Sequence, residues 1–251
     1  QEGIIASFIA GLSTALGAVP IFFKKNYSHQ ILSVLIGFGA GVMLAASSFS
    51  LLLPAYEYLS PQIGSFQSSL HVGVSFLLGG FLLYLVDLFL PHEHMYKGRE
   101  GFDLKLIRRA WLFWMAIALH NFPEGLAVGV SFAEGDVTNG RAVTAGIALQ
   151  NLPEGLVAAL SLMSIGYTRL FSFSMAALTG SIETMGGLLG LGALQIFSGL
   201  VPYALASAGG AMIYVVSHEV IPESHRRGYE VRATWGLMFG FFLMMILDQI
   251  L

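Results

Sequence analysis

The stretch His120-Asn121-Phe122-Pro123-Glu124-Gly125 (HNFPEG) lies inside a long apolar run. It returns thirty positions later, inside another, as Gln150-Asn151-Leu152-Pro153-Glu154-Gly155 (QNLPEG). If both runs cross a bilayer, the polar residues sit where water is absent. An ionised glutamate at the centre of a bilayer costs about 2.5–3.5 kcal/mol even on insertion scales, so such residues serve a function by default. Two glutamates, a histidine and amides at matching depth demand a compensating partner, and a divalent cation is the natural one.

Composition supports the membrane setting. Hydrophobic residues make up 55% of the chain and charged ones 11%, with a mean hydropathy of +0.73. These values suit a polytopic membrane protein and exclude an ordinary soluble domain. Cysteine is absent, so there is no disulfide or thiolate site, and a metal must be held by nitrogen, oxygen or thioether donors. A net charge of −3, with no basic cluster interleaved with aromatics, argues against nucleic acid as a partner. The first apolar stretch lacks the basic flank of a signal peptide.

About 20 apolar residues are needed to cross the hydrocarbon core. On that criterion the chain reads as all-α, with eight transmembrane helices at 3–23, 31–54, 70–90, 109–132, 142–164, 170–194, 200–221 and 232–251. The least marked boundary is the sixth, punctuated only by Ser198, Gly199 and Pro202. No long polar segment separates the spans, so residues 1–251 read as a single transmembrane domain. Basic residues test the count, because they gather in cytoplasmic loops. Lys24 and Lys25 fall in the first loop, Lys97, Arg99, Lys105, Arg108 and Arg109 in the third, Arg169 in the fifth, and Arg226, Arg227 and Arg232 in the seventh. Only Arg141 falls on the other side, so 11 of the 12 basic residues choose one face. Odd loops are therefore expected in the cytoplasm and both termini outside. Intraspan glycines such as Gly37, Gly41, Gly186 and Gly187 read as helix-packing positions.

On a helix, positions i, i+3 and i+4 share a face. His120, Asn121 and Glu124 can converge on one point, as can Gln150, Asn151 and Glu154, each helix supplying half of a cage. Pro123 and Pro153 each remove a backbone N–H and press on the carbonyl four residues back, at Leu119 and Leu149. The fourth and fifth helices are accordingly predicted to be proline-kinked, with freed carbonyls near the midplane. Glu183 is a further acid deep in an apolar segment and is predicted to face the same cavity. Met43 is, by residue type alone, more often a gap filler than a ligand.

Taken together these residues resemble the ZIP family (Zrt- and Irt-like proteins) of divalent metal transporters, especially its bacterial members. The likeness runs along essentially the whole chain. It includes the paired PEG helices, the segment Gly41 to Pro54 (GVMLAASSFSLLLP), Pro91-His92-Glu93-His94, and the run Val216 to Glu223 (VSHEVIPE). The resemblance implies a principal transport site of Met43, His120, Glu124, Gln150 and Glu154. It implies a second, adjacent site of Asn121, Asn151 and Glu183, with Glu124 and Glu154 bridging both ions. Asn151 departs from relatives that carry Asp there, which removes a carboxylate from the second site. An external entrance is implied near Ser50, Glu57 and Asp248. A cytoplasmic exit is implied near Asp87, His92, Glu93, His94, His218 and Glu219, although acids and histidines at a loop edge are commonly just solvated.

The expected function is secondary transport of a divalent transition metal into the cytoplasm, across a bacterial inner membrane. Zinc comes first, with cadmium, iron and manganese as alternatives; no organic cofactor is expected. The partners are the metal ion and the bilayer, with a homodimer left open. A mixed nitrogen, carboxylate, amide and thioether set suits these ions better than Mg²⁺ or Ca²⁺. No GxxxxGK[ST] phosphate loop is present, so ATP drive within the chain is not expected. The competing class is an intramembrane enzyme. A metalloprotease would want HExxH and a di-iron oxidase would want Glu-x-x-His on two helices; neither occurs. A metal-gated sensor fits the ligands but not the acids at both mouths.

Overall fold

The computed structural model describes residues 2–24, 27–89, 104–132, 137–196, 198–225 and 228–250. The side chains at 86–89, 104–110, 112–113, 115–116, 119–120, 123, 193–196 and 198 are outside that description. Among the described residues there is no strand. Eight helices follow one another: α1 (Glu2–Phe22), α2 (His29–Ile63), α3 (Ser65–Phe89), α4 (Leu104–Ser131), α5 (Val137–Met163), α6 (Arg169–Ile196), α7 (Val201–Ser224) and α8 (Glu230–Ile250). Each predicted span overlaps one of them. The weakly marked sixth boundary is real: α6 stops at Ile196, and a 3-10 turn at Ser198–Leu200 leads into α7 with Pro202 in its first turn.

Six of these helices, α1, α2, α3, α5, α7 and α8, contain segments long and apolar enough to cross a membrane. The other two, α4 and α6, have 28 residues each and carry Glu124 and Glu183.

Departures from α geometry occur where the sequence did not announce them. Both α4 and α5 run as unbroken α-helix through residues 119–125 and 149–155. The kinks expected at Pro123 and Pro153 leave no break there. Instead α2 contains a π turn at Ala46–Leu52 and α7 one at Val216–Val220, just ahead of Pro54 and Pro222. A proline ring presses on the carbonyl four residues back, here that of Ser50 or His218. Widening the turn by one residue moves that carbonyl aside. The N–H groups before each proline accordingly reach five residues back, Leu53 to Ser48 and Ile221 to Val216.

The helices pair lengthwise as α2 with α8, α4 with α6, α3 with α7, and α1 with both α5 and α6. This makes two groups, α1/α4/α5/α6 and α2/α3/α7/α8, joined chiefly where α5 meets α2 and α4 meets α7. The outward side of α3 is apolar, with Phe66, Leu77, Phe81 and Leu82 exposed, which suits contact with lipid tails. Contacts at the helix ends agree with the loop assignment. Arg169 donates to the carbonyl of Phe22 at 2.9 Å and Trp111 to the Tyr167 hydroxyl at 3.1 Å, which brings the first, third and fifth connections to one end. At the other end Arg141, the single exception among the basic residues, pairs with Glu2 at 3.1 Å.

Candidate metal centre

Five polar side chains from three helices meet in the interior: Asn121 and Glu124 on α4, Gln150 and Asn151 on α5, and Glu183 on α6. All are 0–1% exposed. The two motif glycines permit this closeness. A Cβ on Gly125 would collide with the carbonyl of Glu183, and one on Gly155 with the carbonyl of Thr14. The glycine of the first repeat thus docks α4 on α6, and that of the second docks α5 on α1.

Each buried carboxylate takes an amide hydrogen bond. Gln150 Nε2 donates to Glu124 Oε1 at 2.6 Å. Asn151 Nδ2 donates to Glu183 Oε2 at 2.7 Å and to the Ala10 carbonyl at 3.0 Å. Thr14 Oγ1 reaches Glu183 Oε2 at 3.4 Å. What remains is a set of buried polar atoms with no hydrogen-bond partner: Glu124 Oε2, Gln150 Oε1, Asn151 Oδ1, Glu183 Oε1 and both amide atoms of Asn121. Buried polar atoms are nearly always paired, so such a concentration asks for an explanation. Five of the six are oxygens, the donors a divalent cation would take.

The other predicted residues divide. Met43 is 1% exposed on α2. It lies one turn after Gly39, whose added Cβ would approach Gln150 Cβ at 3.9 Å, so Met43 shares the side of α2 that faces α5. The backbone of His120 lies one turn before Glu124 on α4, but its side chain is outside the described residues. Glu154, half-buried, lines a cavity of about 60 Å³ that also touches Gly39, Pro153, Glu219 and Glu223. Among the described residues, no three His, Asp or Glu side chains come close enough to hold an ion between them. Half of the proposed donors are amides or a thioether, and the buried carboxylates are each braced by an amide.

At the presumed entrance, Ser50 Oγ donates to Asp248 Oδ1 at 2.6 Å, tying α2 to α8, while Glu57 is exposed two turns further along α2. Of the residues expected at the exit, the Asp87 side chain and His92, Glu93 and His94 lie outside the described residues. His218 and Glu219 diverge: Glu219 faces the cavity with Glu154, whereas His218 stacks on Tyr214 with ring centres 5.2 Å apart and lines a separate groove between α3 and α7. Three contributors escaped the sequence reading. Glu223 stands in a recognised run four residues after Glu219, a same-face helical spacing that the reading of that run did not use. Thr14 and the Ala10 carbonyl belong to α1, whose interior polar residues, Ser7, Ser13 and Thr14, carry no charge to mark them.

The family profile described as ZIP Zinc transporter matches residues 92–248. The chain is 46% identical over 248 residues to "Zinc transporter GufA" of Myxococcus xanthus, covering 98% of each. It is 44% identical over 240 residues to "Zinc transporter ZIPB" of Bordetella bronchiseptica, covering 95% of this chain and 78% of the relative. It is 32% identical over 266 residues to "Zinc transporter ZupT" of Clostridium perfringens, covering 96% and 93%.

Proposed function

This chain belongs to the ZIP zinc transporter family, a family of transporters and not of enzymes, and from that premise we propose how its own residues move the ion. The substrate is a divalent transition metal, Zn²⁺ first, with Cd²⁺, Fe²⁺ and Mn²⁺ as alternatives. It moves towards the cytoplasm down its electrochemical gradient, with both termini extracytoplasmic and residues 1–251 working as one transmembrane domain. The observation that carries this reading is the pair of bare, buried oxygens at Glu124 Oε2 and Gln150 Oε1.

Gln150 gives an N–H to one carboxylate oxygen of Glu124, while its own carbonyl oxygen and the other carboxylate oxygen are buried without a hydrogen-bond partner. An ion entering there gains one charged and one neutral oxygen without first breaking a hydrogen bond to them. His120, Met43 and Glu154 complete the proposed principal site. A nitrogen and a thioether in that set favour zinc-like ions over Mg²⁺ or Ca²⁺. Ser50 and Asp248 form the proposed entrance, with Glu57 outside it. On the inner side, the cavity shared by Glu154, Glu219 and Glu223 continues towards the exit, which also includes Asp87, His92, Glu93, His94 and His218. The apolar outer face of α3 is what lipid requires, and no homodimer is inferred from it.

Uptake of Zn²⁺, Cd²⁺, Fe²⁺ and Mn²⁺ by proteoliposomes containing only this protein, with and without a proton gradient, tests the reading. Saturable zinc uptake without ATP is expected. Metal binding with no flux would turn the reading into that of a sensor.

A further inference from the structure

The amide of Asn151 can be oriented in one way only. Its nitrogen carries two N–H groups, and both are used, one on the Ala10 carbonyl at 3.0 Å and one on Glu183 Oε2 at 2.7 Å. A backbone carbonyl accepts and never donates. Turning the amide over would set Asn151 Oδ1 against that carbonyl and against a carboxylate oxygen, acceptor facing acceptor in both directions. One N–H therefore faces Glu183 Oε2 and the other the Ala10 carbonyl, whatever else occupies the centre.

Gln150 is held differently. Its one hydrogen bond is to Glu124, a carboxylate that can exchange an N–H for a cation. No backbone group fixes it.

Packing holds Asn151 in place. Gly155, one turn later on the same face of α5, has no side chain, and a Cβ there would strike the carbonyl of Thr14. Residues Ala10 and Thr14 are likewise one turn apart, so α1 offers a carbonyl to Asn151 and a hydroxyl to Glu183 along one face. Thr14 Oγ1 lies 3.4 Å from the same Glu183 oxygen that Asn151 holds.

We propose that Asn151 is a fixed brace between α1 and α6 and not a cation ligand, that it holds Glu183 as part of the helix packing, and that the centre of this chain takes a single divalent ion on the Glu124–Gln150 side. An N–H of the protein itself occupies Glu183 Oε2, and Asn151 Oδ1 and Glu183 Oε1, which have no hydrogen-bond partner, are the oxygens whose occupancy the ion count below tests. Thr14 and the Ala10 carbonyl are the positioning groups. This rests on the transport reading given above, but the two can fail separately.

The test counts tightly bound Zn²⁺ per chain in detergent and follows thermal unfolding with and without a chelator. Glu183→Gln still accepts from the Asn151 N–H through its carbonyl oxygen, and should leave the ion count of the native protein unchanged. Asn151→Asp sets a carboxylate against the Ala10 carbonyl and Glu183, so that variant should unfold at a lower temperature in chelator and recover with Zn²⁺. It should also bind one more ion than the native chain, an ion that Glu183→Gln in the same background removes. Loss of one ion from the native protein on Glu183→Gln overturns the proposal, as does an Asn151→Asp protein whose unfolding ignores chelator. If Asn151→Asp does not fold, the Glu183→Gln count decides alone. A Glu124→Gln protein that keeps the native ion count would sink the transport-site reading together with the placement of the ion on the Glu124–Gln150 side, and would leave only the Asn151 brace standing.

Discussion

Gln150 and Asn151 are neighbours on one helix, both amides, both buried, and each donates to a buried glutamate, yet their surroundings differ in kind. Among the described residues the hydrogen bond of the Gln150–Glu124 pair runs between two side chains, and in this pair, as in Asn151–Glu183, one oxygen on each residue is left bare. Around Asn151 and Glu183 a backbone carbonyl and a threonine hydroxyl from α1 join in. A carboxylate partner can trade an N–H for a cation, whereas a carbonyl in a packed helix cannot move away to allow it. On the reading proposed above, the first pair opens to an ion, while the second, whose bare oxygens Asn151 Oδ1 and Glu183 Oε1 are equally buried, is held as part of the wall.

The largest effect should come from the open region. Glu124→Ala is expected to reduce zinc flux in vesicles to background while the protein still inserts and purifies normally. Native flux in that variant would erase the distinction between the two regions. Gln150→Leu removes the amide that orients Glu124 and a bare oxygen at once, and should weaken ion binding by about 10–100-fold, the range seen when groups that orient a ligand are lost. Competition against a fluorescent zinc chelator measures it.

The wall should answer in stability. Gly155→Ala pushes a methyl group into the Thr14 carbonyl and should cost about 1–3 kcal/mol, the usual range for overpacking. Gly73→Ala in α3, where an added Cβ meets nothing within 4 Å, should be neutral or slightly stabilising. Thermal unfolding of the two variants side by side gives the comparison. The smallest effect is expected at the edge of the open region. Met43→Leu should change stability by less than about 1.5 kcal/mol, as volume-conserving swaps do. It should also lower cadmium uptake more than zinc or manganese uptake, each scaled to its native rate, because the thioether is the one soft donor in the set. An equal drop for all ions would make Met43 a packing residue.

The repeat of Asn, Pro, Glu and Gly at matching depth pointed to Asn121, Glu124, Gln150 and Asn151, which the fold buries, because an acid in an apolar run has few other reasons to exist. The eight helices were legible for a related reason: span length is set by bilayer thickness and does not depend on how helices pack. The basic residues sorted the connections into two sets, and the contacts of Arg169 with Phe22 and of Arg141 with Glu2 fit the same division. Helix geometry at the prolines was less legible. Pro54 and Pro222 are the ones preceded by π turns, while Pro153 sits within α5 without one. All carry the same covalent constraint, so the difference comes from what packs around each helix.

Residue type and spacing therefore determined which helices bring buried polar side chains into the interior, since that follows from local periodicity and the cost of burying charge. They could not tell Gln150 from Asn151. That depended on α1, which lies 141 positions away from Asn151 at Ala10 and whose contribution is a backbone carbonyl that every residue possesses. A group common to the whole chain carries no signal in the sequence, and only the packing of α1 against Gly155 and α6 decided which amide it would hold.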